Sequence, residues 1–355
     1  MTSLIRNCVK NMSAYVPGEQ PADVNVVKLN TNENPYPPSP QVRRALKMIK
    51  GDNLRRYPDP ECGKLRAVIA KLHKCAETRV FTGNGSDEIL ALCTKAFVED
   101  KQTIAFFDPS YSLYPVLAKI RNVKSRAIKL DKNFEWRMPP ADAALFFMTN
   151  PNAPTGILYP KNEVAKFCRK SRGVVVLDEA YVDFSRYNCL DLALKLKNTL
   201  VLRTLSKSYS LAGLRLGYAI GAPELIAALY KIKDSYNVDR VAQELATAAL
   251  RDQAYMRRNV RRIMAGRRKL SEGLLKLNFA VFPSETNFVW VKPQGISAEQ
   301  LYRLLCRQKI FVRYFSRELT RDYLRITVGT DEQINKLIKA IARIMKMKAM
   351  EMENK

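Results

Sequence analysis

Leu200-Val201-Leu202-Arg203-Thr204-Leu205-Ser206-Lys207-Ser208-Tyr209 begins as a short apolar run and ends in hydroxyls around one lysine. Arg215 follows Lys207 by eight residues and stands between Gly213 and Gly217. A short apolar run without polar alternation reads as a strand covered on both faces. The groups just after it then lie at the carboxyl end of the strand, where open parallel sheets bind ligands. A lysine there is either a solvated turn residue or an amine able to capture a carbonyl. Ser206 and Arg215 beside it suit a phosphate. The segment alone leaves both readings open.

Working outward, similar runs recur at Thr103-Ile104-Ala105-Phe106-Phe107, Ala144-Leu145-Phe146-Phe147-Met148, Val174-Val175-Val176-Leu177 and Tyr218-Ala219-Ile220. They alternate with helical patterns between about Leu65 and Gly221. That predicts an α/β fold, a mostly parallel sheet flanked by helices. One long helix is expected over Ala242–Leu277. The remainder reads as a smaller α+β unit: strands at 287–291, 310–313 and 324–328, a helix at 297–308 and a final helix. The Pro- and Asn-rich first ~50 residues read as an extended arm with a short helix at 40–49. The expected division is 1–50 as arm and part of the small domain, 51–275 as the large domain, and 276–355 as the small domain.

Composition excludes several function classes. The 355 residues are 47% hydrophobic, ordinary for a globular chain. No apolar run nears the roughly 18 residues of a membrane span, and no signal-peptide core is visible at Met1–Arg6, so a cytoplasmic protein is expected. Seven scattered cysteines form no CxxC pair, which argues against a disulfide framework or a metal site. The one histidine, His73, lies in a helical pattern over 64–75, so proton transfer must lean on another group. The net charge of +26 is spread along the whole chain. Its densest run, Arg257–Lys269, reads as the solvated face of a helix, without the motif of a nucleic-acid binder.

The other strand ends carry complementary groups. Asp178-Glu179-Ala180-Tyr181 follows Leu177: Asp178 either caps a helix or pairs with a cationic ring nitrogen, and Tyr181 can reach a phenolic oxygen. Thr149-Asn150-Pro151-Asn152-Ala153-Pro154 follows Met148 as a rigid turn, from which Asn152 could donate to the same oxygen. Thr82-Gly83-Asn84-Gly85-Ser86-Asp87 precedes a helix expected near Glu88 and offers a phosphate cup; without a Walker Lys-Ser/Thr it is no nucleotide P-loop. Asp108-Pro109-Ser110-Tyr111 supplies an aromatic that either packs or stacks on a ring. Taken together, the strand ends hold each group that pyridoxal 5'-phosphate would need.

With these residues in place, the chain resembles the histidinol-phosphate aminotransferases, within the fold-type-I pyridoxal-phosphate enzymes. The resemblance runs from Tyr15-Val16-Pro17-Gly18 to Thr330. It is carried by Asn32-Glu33-Asn34-Pro35, Arg56-Tyr57-Pro58-Asp59-Pro60, Gly83–Glu88, Asn150–Gly156, Asp178–Tyr181, the Lys207 segment, Thr286-Asn287-Phe288, Val312-Arg313-Tyr314 and Leu324–Thr330. Two departures are Ala153, where the family usually has a second Asn, and Tyr209, where Phe is common. Threonine-phosphate decarboxylases and some aromatic-amino-acid aminotransferases look similar.

The resemblance implies transamination of L-histidinol phosphate with 2-oxoglutarate, giving imidazole-acetol phosphate and glutamate, in histidine biosynthesis. It implies that Lys207 binds the cofactor as a Schiff base and then moves the proton. Asp178 would pair with the ring nitrogen, and Asn152 and Tyr181 would hold the phenolic oxygen. Gly85, Ser86, Asp87, Ser206 and Arg215 would surround the phosphate, with Tyr111 stacked on the ring. Arg325 would grip the substrate's anionic end, with Arg313, Tyr15 and Asn84 lining the same pocket. Tyr57 would reach the cofactor of a second subunit, implying a homodimer with shared sites. The substrates would be small molecules; neither a membrane nor nucleic acid is an expected partner.

Overall fold

The computed structural model describes residues 4–23 and 25–353. Its largest sheet has seven strands, in the spatial order 80–84, 216–221, 199–204, 174–178, 145–149, 103–108, 124–129. Only 216–221 runs against its two neighbours; the other pairings are parallel. The β-branched run Val174–Asp178 takes the central place, buried between 145–149 and 199–204. Helices cover both faces, so these strands lack polar alternation.

Two strands escaped the reading of apolar runs. Lys124–Lys129 is the sheet edge and is largely exposed; its Lys and Arg side chains mask the strand pattern and discourage further pairing. Val80–Asn84 is buried over its first four residues, yet its Gly and Asn read as a loop. The helix after it starts at Gly85, earlier than expected.

The helix expected over 242–277 is two helices, Arg240–Arg251 and Gln253–Leu275. Asp252 divides them. Its carboxylate accepts the Tyr255 N–H at 3.3 Å and the Ser39 hydroxyl, capping the second helix. Along that helix Arg257, Arg258, Arg261, Arg262, Arg268 and Lys269 are exposed.

A four-stranded antiparallel sheet follows the order 313–314, 324–327, 288–292, 280–281. The run expected as one strand over 310–313 divides at Val312. Ile310–Phe311 pairs in parallel with Val27–Lys28, and Arg313–Tyr314 pairs with 324–325. The amino-terminal segment is thereby stitched to the carboxyl-terminal region, and Thr327 N–H donates to Leu29 O at 2.9 Å. Among the described residues no helix is long and apolar enough to cross a membrane.

Candidate active site

A cavity of about 270 Å³ opens at the carboxyl ends of strands 103–108, 145–149, 174–178 and 199–204. Lys207 enters it from the turn after 199–204. The turn is pinned by Leu205 N–H to Leu216 O (3.0 Å) and Leu211 N–H to Leu205 O (3.1 Å). The Asn34 amide holds the carbonyls of Lys207 and Ser208 at 3.0 and 3.2 Å. The Lys207 Nζ donates to Thr31 O at 3.3 Å and lies 5.9 Å from the centre of the Tyr181 ring. Burial, then the charges of Arg325 and Arg215, push its amine down to about 8 against the pull of Glu33 and Asp87. A neutral amine, the nucleophilic form, is therefore accessible near physiological pH.

Asp178 ends its strand inside the same cavity, 4% exposed. One oxygen accepts the Tyr114 hydroxyl at 2.8 Å and the other the Ala180 N–H at 3.1 Å. No cation pairs with it among the described residues. Burial raises its carboxyl to about 6, although both hydrogen bonds oppose the shift. A buried carboxylate without a counter-ion is costly unless a cation joins it.

The opposite wall is an anion cup. The helix Gly85–Phe97 points its free amino-terminal N–H groups into it, and Asn84 supplies no side-chain cap. Gly85 has φ +79°, and a Cβ there would come within 2.6 Å of the Arg215 guanidinium. Across the cup, a Cβ on Gly217 would meet the Ser86 nitrogen at 2.6 Å. Arg215 bonds Asp87 at 3.3 Å, and the Tyr111 hydroxyl donates to the same carboxylate at 3.0 Å. With its carboxylate so engaged, Asp87 can serve an anion through its backbone N–H. Ser206 is buried beside Thr204, whose hydroxyl donates to its oxygen at 2.9 Å.

Arg325 comes from the smaller sheet. Its guanidinium donates to Asn30 O at 2.9 Å and lies 5.3 and 5.5 Å from the rings of Phe288 and Phe315. Its Nε is buried with no partner, and burial pushes its pKa down. An unsatisfied buried N–H of a guanidinium calls for an anion. The cavity thus combines an amine, an unpaired carboxylate, an anion cup and a free arginine donor. A flat ring bearing a carbonyl, a basic nitrogen and a phosphate fits this set.

Residues 24–341 match the family model for aminotransferase class I and II. The chain belongs to that family. It is 45% identical to a histidinol-phosphate aminotransferase of Synechocystis, over 96% of this chain and 98% of the relative. It is 42% identical to histidinol-phosphate aminotransferase 1 of Trichormus variabilis, over 98% and 100%. Its fold superposes with a TM-score of 0.87 on the crystal structure of the Sinorhizobium meliloti histidinol-phosphate aminotransferase in complex with pyridoxal-5'-phosphate. That pair is 22% identical, covering 98% of this chain and 99% of that one.

In this aminotransferase Tyr15, Ser86, Asp87, Tyr111, Asp178, Tyr181, Ser206, Lys207, Arg215, Arg313 and Arg325 all line the one cavity. Gly85, buried at the helix start next to Ser86, is not among the lining residues, and three others singled out from the sequence lie elsewhere. Asn152 is fully buried behind the wall: its amide donates to Pro109 O (3.1 Å) and Thr155 Oγ1 (3.0 Å), and Ala153 faces the cavity instead. Asn84 is exposed and outside the lining; its N–H donates to Glu88 at 2.5 Å. Tyr57 is 76% exposed and stacks on Tyr236 at 4.3 Å beside a separate surface cleft. His73 lies outside the cavity, its Nε2 2.9 Å from the Tyr218 hydroxyl. Burial and Arg203 hold it down to about 3, a neutral imidazole.

Several site residues carry a sequence signal without a legible role. In Asn32-Glu33-Asn34-Pro35, Asn34 anchors the Lys207 backbone, and the Asn32 amide donates to the Tyr181 hydroxyl at 2.9 Å. Asn32 is gripped in turn by Thr327 at 3.0 Å and Asn287 at 2.9 Å. These quoted motifs therefore meet at one joint beneath the cavity. Thr31, Phe315 and Arg317 also line it with no local pattern to mark them, as do Ser110 and Thr149, which lie in the quoted strand-end segments without a role assigned to them.

Proposed function

We propose that this aminotransferase moves the amino group of L-histidinol phosphate to 2-oxoglutarate, giving imidazole-acetol phosphate and glutamate, in histidine biosynthesis. The observation that carries the reading is Lys207 Nζ, held with a depressed pKa in the cavity that Asp178 and Arg325 also line. Near-full-length identity to curated enzymes of that activity supports the choice of substrate.

The cofactor is pyridoxal 5'-phosphate; when bound, it acidifies the substrate α-carbon and stores the amino group between half-reactions. Asp178 holds the ring nitrogen in its cationic form. Tyr181 bonds the phenolic oxygen, and its hydroxyl accepts from Asn32 and so keeps its own proton for donation. The Gly85–Asp87 helix start, Ser206 and Arg215 hold the phosphate, and Tyr111 covers the ring. Lys207 Nζ would take the proton from the substrate α-carbon as general base and give it up as general acid to the cofactor carbon that carries the amino group, which removes any need for a catalytic histidine. Arg325 binds the anion of whichever substrate is present, phosphate or α-carboxylate, with the free Nε as one donor. Tyr15 and Arg313 close the mouth.

The working unit in this reading is a homodimer in the cytoplasm. Tyr57, exposed here, would reach the cofactor phosphate of a second copy. Residues 51–275 form the large domain, with 1–50 serving as arm and part of the small domain completed by 276–355. The test is direct: incubate the holoenzyme with histidinol phosphate and 2-oxoglutarate and measure glutamate. Glutamate production dependent on both substrates is expected. CO2 release from threonine phosphate, or a preference for phenylalanine or tyrosine as donor, would overturn the substrate assignment.

A further inference from the structure

Behind the carboxylate that faces the ring site runs a buried line of polar atoms. Asp178 Oδ2 accepts Tyr114 OH at 2.8 Å. Tyr114 OH lies 2.6 Å from Thr149 Oγ1, which lies 3.2 Å from Ser110 Oγ. Ser110 Oγ donates to Asn152 Oδ1 at 3.0 Å. The sheet register sets the middle of the line, because Thr149 and Asp178 are cross-strand partners. Tyr114 is fully buried and its ring stacks on Phe147 at 4.8 Å, so its hydroxyl has little freedom to leave. Asn152 cannot turn over, because its Nδ2 faces Pro109 O, which can only accept.

We propose that Tyr114, Thr149 and Ser110 form a hydroxyl chain, ended by Asn152, that positions Asp178 and serves it in either charge state. Counting protons gives the reason. Four links join two acceptor ends through three hydroxyls. With Asp178 ionised, three protons fill three links: Tyr114 to Asp178, Thr149 to Tyr114, and Ser110 to Asn152. The unfilled link is then Ser110 to Thr149, the longest of the four. With a proton on Asp178 the line reverses and all four links are filled, ending Thr149 to Ser110 to Asn152. A carboxylate that must share a proton with a ring nitrogen is thus supported on both sides of that transfer. The other charges bearing on Asp178 are Asp87 and Glu179, both repulsive. Asn152 belongs to this chain and does not line the cavity, where Ala153 presents its methyl instead. Tyr114 is a positioning residue, acting through Asp178.

The inference rests on Asp178 as the ring-nitrogen partner in the proposed function. The test uses holoenzyme carrying Tyr114→Phe, Thr149→Val, or both. The readouts are the pH midpoint of the bound cofactor's visible absorbance, the cofactor dissociation constant, and kcat and KM for the amino donor. One hydrogen bond to a charged group corresponds to roughly a tenfold effect, or about one pH unit. Tyr114→Phe should weaken cofactor binding and kcat by about that factor, with KM within about twofold. A ring nitrogen less firmly protonated leaves less positive charge in the cofactor, so the midpoint should move up. Thr149→Val should act in the same direction and less. The double variant should do no more than Tyr114→Phe, because the two act in series. A folded Tyr114→Phe enzyme with an unmoved midpoint, or additive effects in the double variant, would overturn the chain. Should Tyr114→Phe fail to fold, Thr149→Val and Ser110→Ala carry the same test, and an unmoved midpoint in both overturns it. A wild-type protein without a visible cofactor band would instead sink the functional reading itself.

Discussion

Asp178 and Glu179 are adjacent carboxylates, 4% and 2% exposed, and they live in opposite electrostatic worlds. Strand geometry sends their side chains to opposite sides. Glu179 accepts Arg203 Nε and Nη2 at 3.0 and 2.8 Å, and the Cys189 N–H at 2.5 Å. Asp178 has a tyrosine hydroxyl and one N–H, and no cation. A buried charge with its counter-ion supplied by the fold is structure. A buried charge without one is a binding site waiting for the ligand's charge. The same contrast separates Arg325, with an unpartnered Nε, from Arg313, whose guanidinium is spent on the chain itself.

The harshest way to break the contrast is to remove the third unpaired charge, the Lys207 amine. Lys207→Ala should abolish turnover, by at least ~10⁴-fold, and remove the visible cofactor absorbance while the fold stays intact. Steady-state assay with a spectrum of the purified variant checks both. Appreciable turnover would refute the catalytic assignment.

The carboxylate pair itself comes next. Asp178→Asn should lower kcat by roughly 10²–10³-fold, since the ring cation loses its partner, and should not destabilise the cofactor-free protein, because it removes a buried carboxylate that has no counter-ion. Glu179→Gln should do the reverse. It strands Arg203, 11% exposed, and should cost about 3–5 kcal/mol of stability. Parallel denaturant melts and kinetics read the two effects, and equal losses of stability in both variants would erase the distinction.

How much of this was visible in the sequence depends on what burial does to pattern. Val174–Asp178 and 199–204 were legible because strands covered on both faces are continuously apolar. Lys124–Lys129 was not, because an edge strand answers to solvent on one face and its lysines and arginine hide the period. The helix break at Asp252 depends on the capping bond to Tyr255 and the distant Ser39, which no periodicity reveals. At the site, Lys207 and Asp178 stood out because strand ends gather ligand groups. Tyr114 did not, because a tyrosine in a helix first reads as packing, and its partner Asp178 is 64 positions away. The Asn152–Ala153 turn shows the sharpest limit. Sequence locates the turn, but which of two adjacent residues faces the cavity is set by its backbone.

A smaller effect follows from pH. The Asp178 carboxyl sits near 6 in the folded protein, against 3.8 as the ordinary value. The folded state therefore binds more protons than the unfolded state between these values, and cofactor-free protein should lose stability as pH rises from about 4 to about 6. The full span corresponds to at most roughly 3 kcal/mol. Lys207 works in the opposite sense: depressed to about 8, its cost is relieved as pH rises from about 8 towards 10.5. Urea melts of cofactor-free wild type and Asp178→Asn across pH 4–7 isolate the carboxylate's share. Identical pH profiles would mean that Asp178 is not the titrating group.

The mildest test compares the two arginines. Arg313 donates to the carbonyls of Val16 and Pro17, each at 3.2 Å, and lies 5.1 Å from the Phe315 ring. Its charge is engaged with the amino-terminal arm that carries Tyr15 over the cavity mouth. Arg325 keeps a donor for the substrate. Lysine preserves charge at both places but loses the planar fork. Arg325→Lys should therefore raise KM for both substrates by about tenfold, because it removes a charge-assisted bond made to either anion. Arg313→Lys should raise KM by no more than about threefold and leave kcat nearly unchanged, because a loosened arm weakens binding without touching the reacting atoms. Side-by-side Michaelis–Menten curves decide it. A larger penalty at Arg313 would mean that the arm-holding arginine, and not the one with the open Nε, is the principal anion grip.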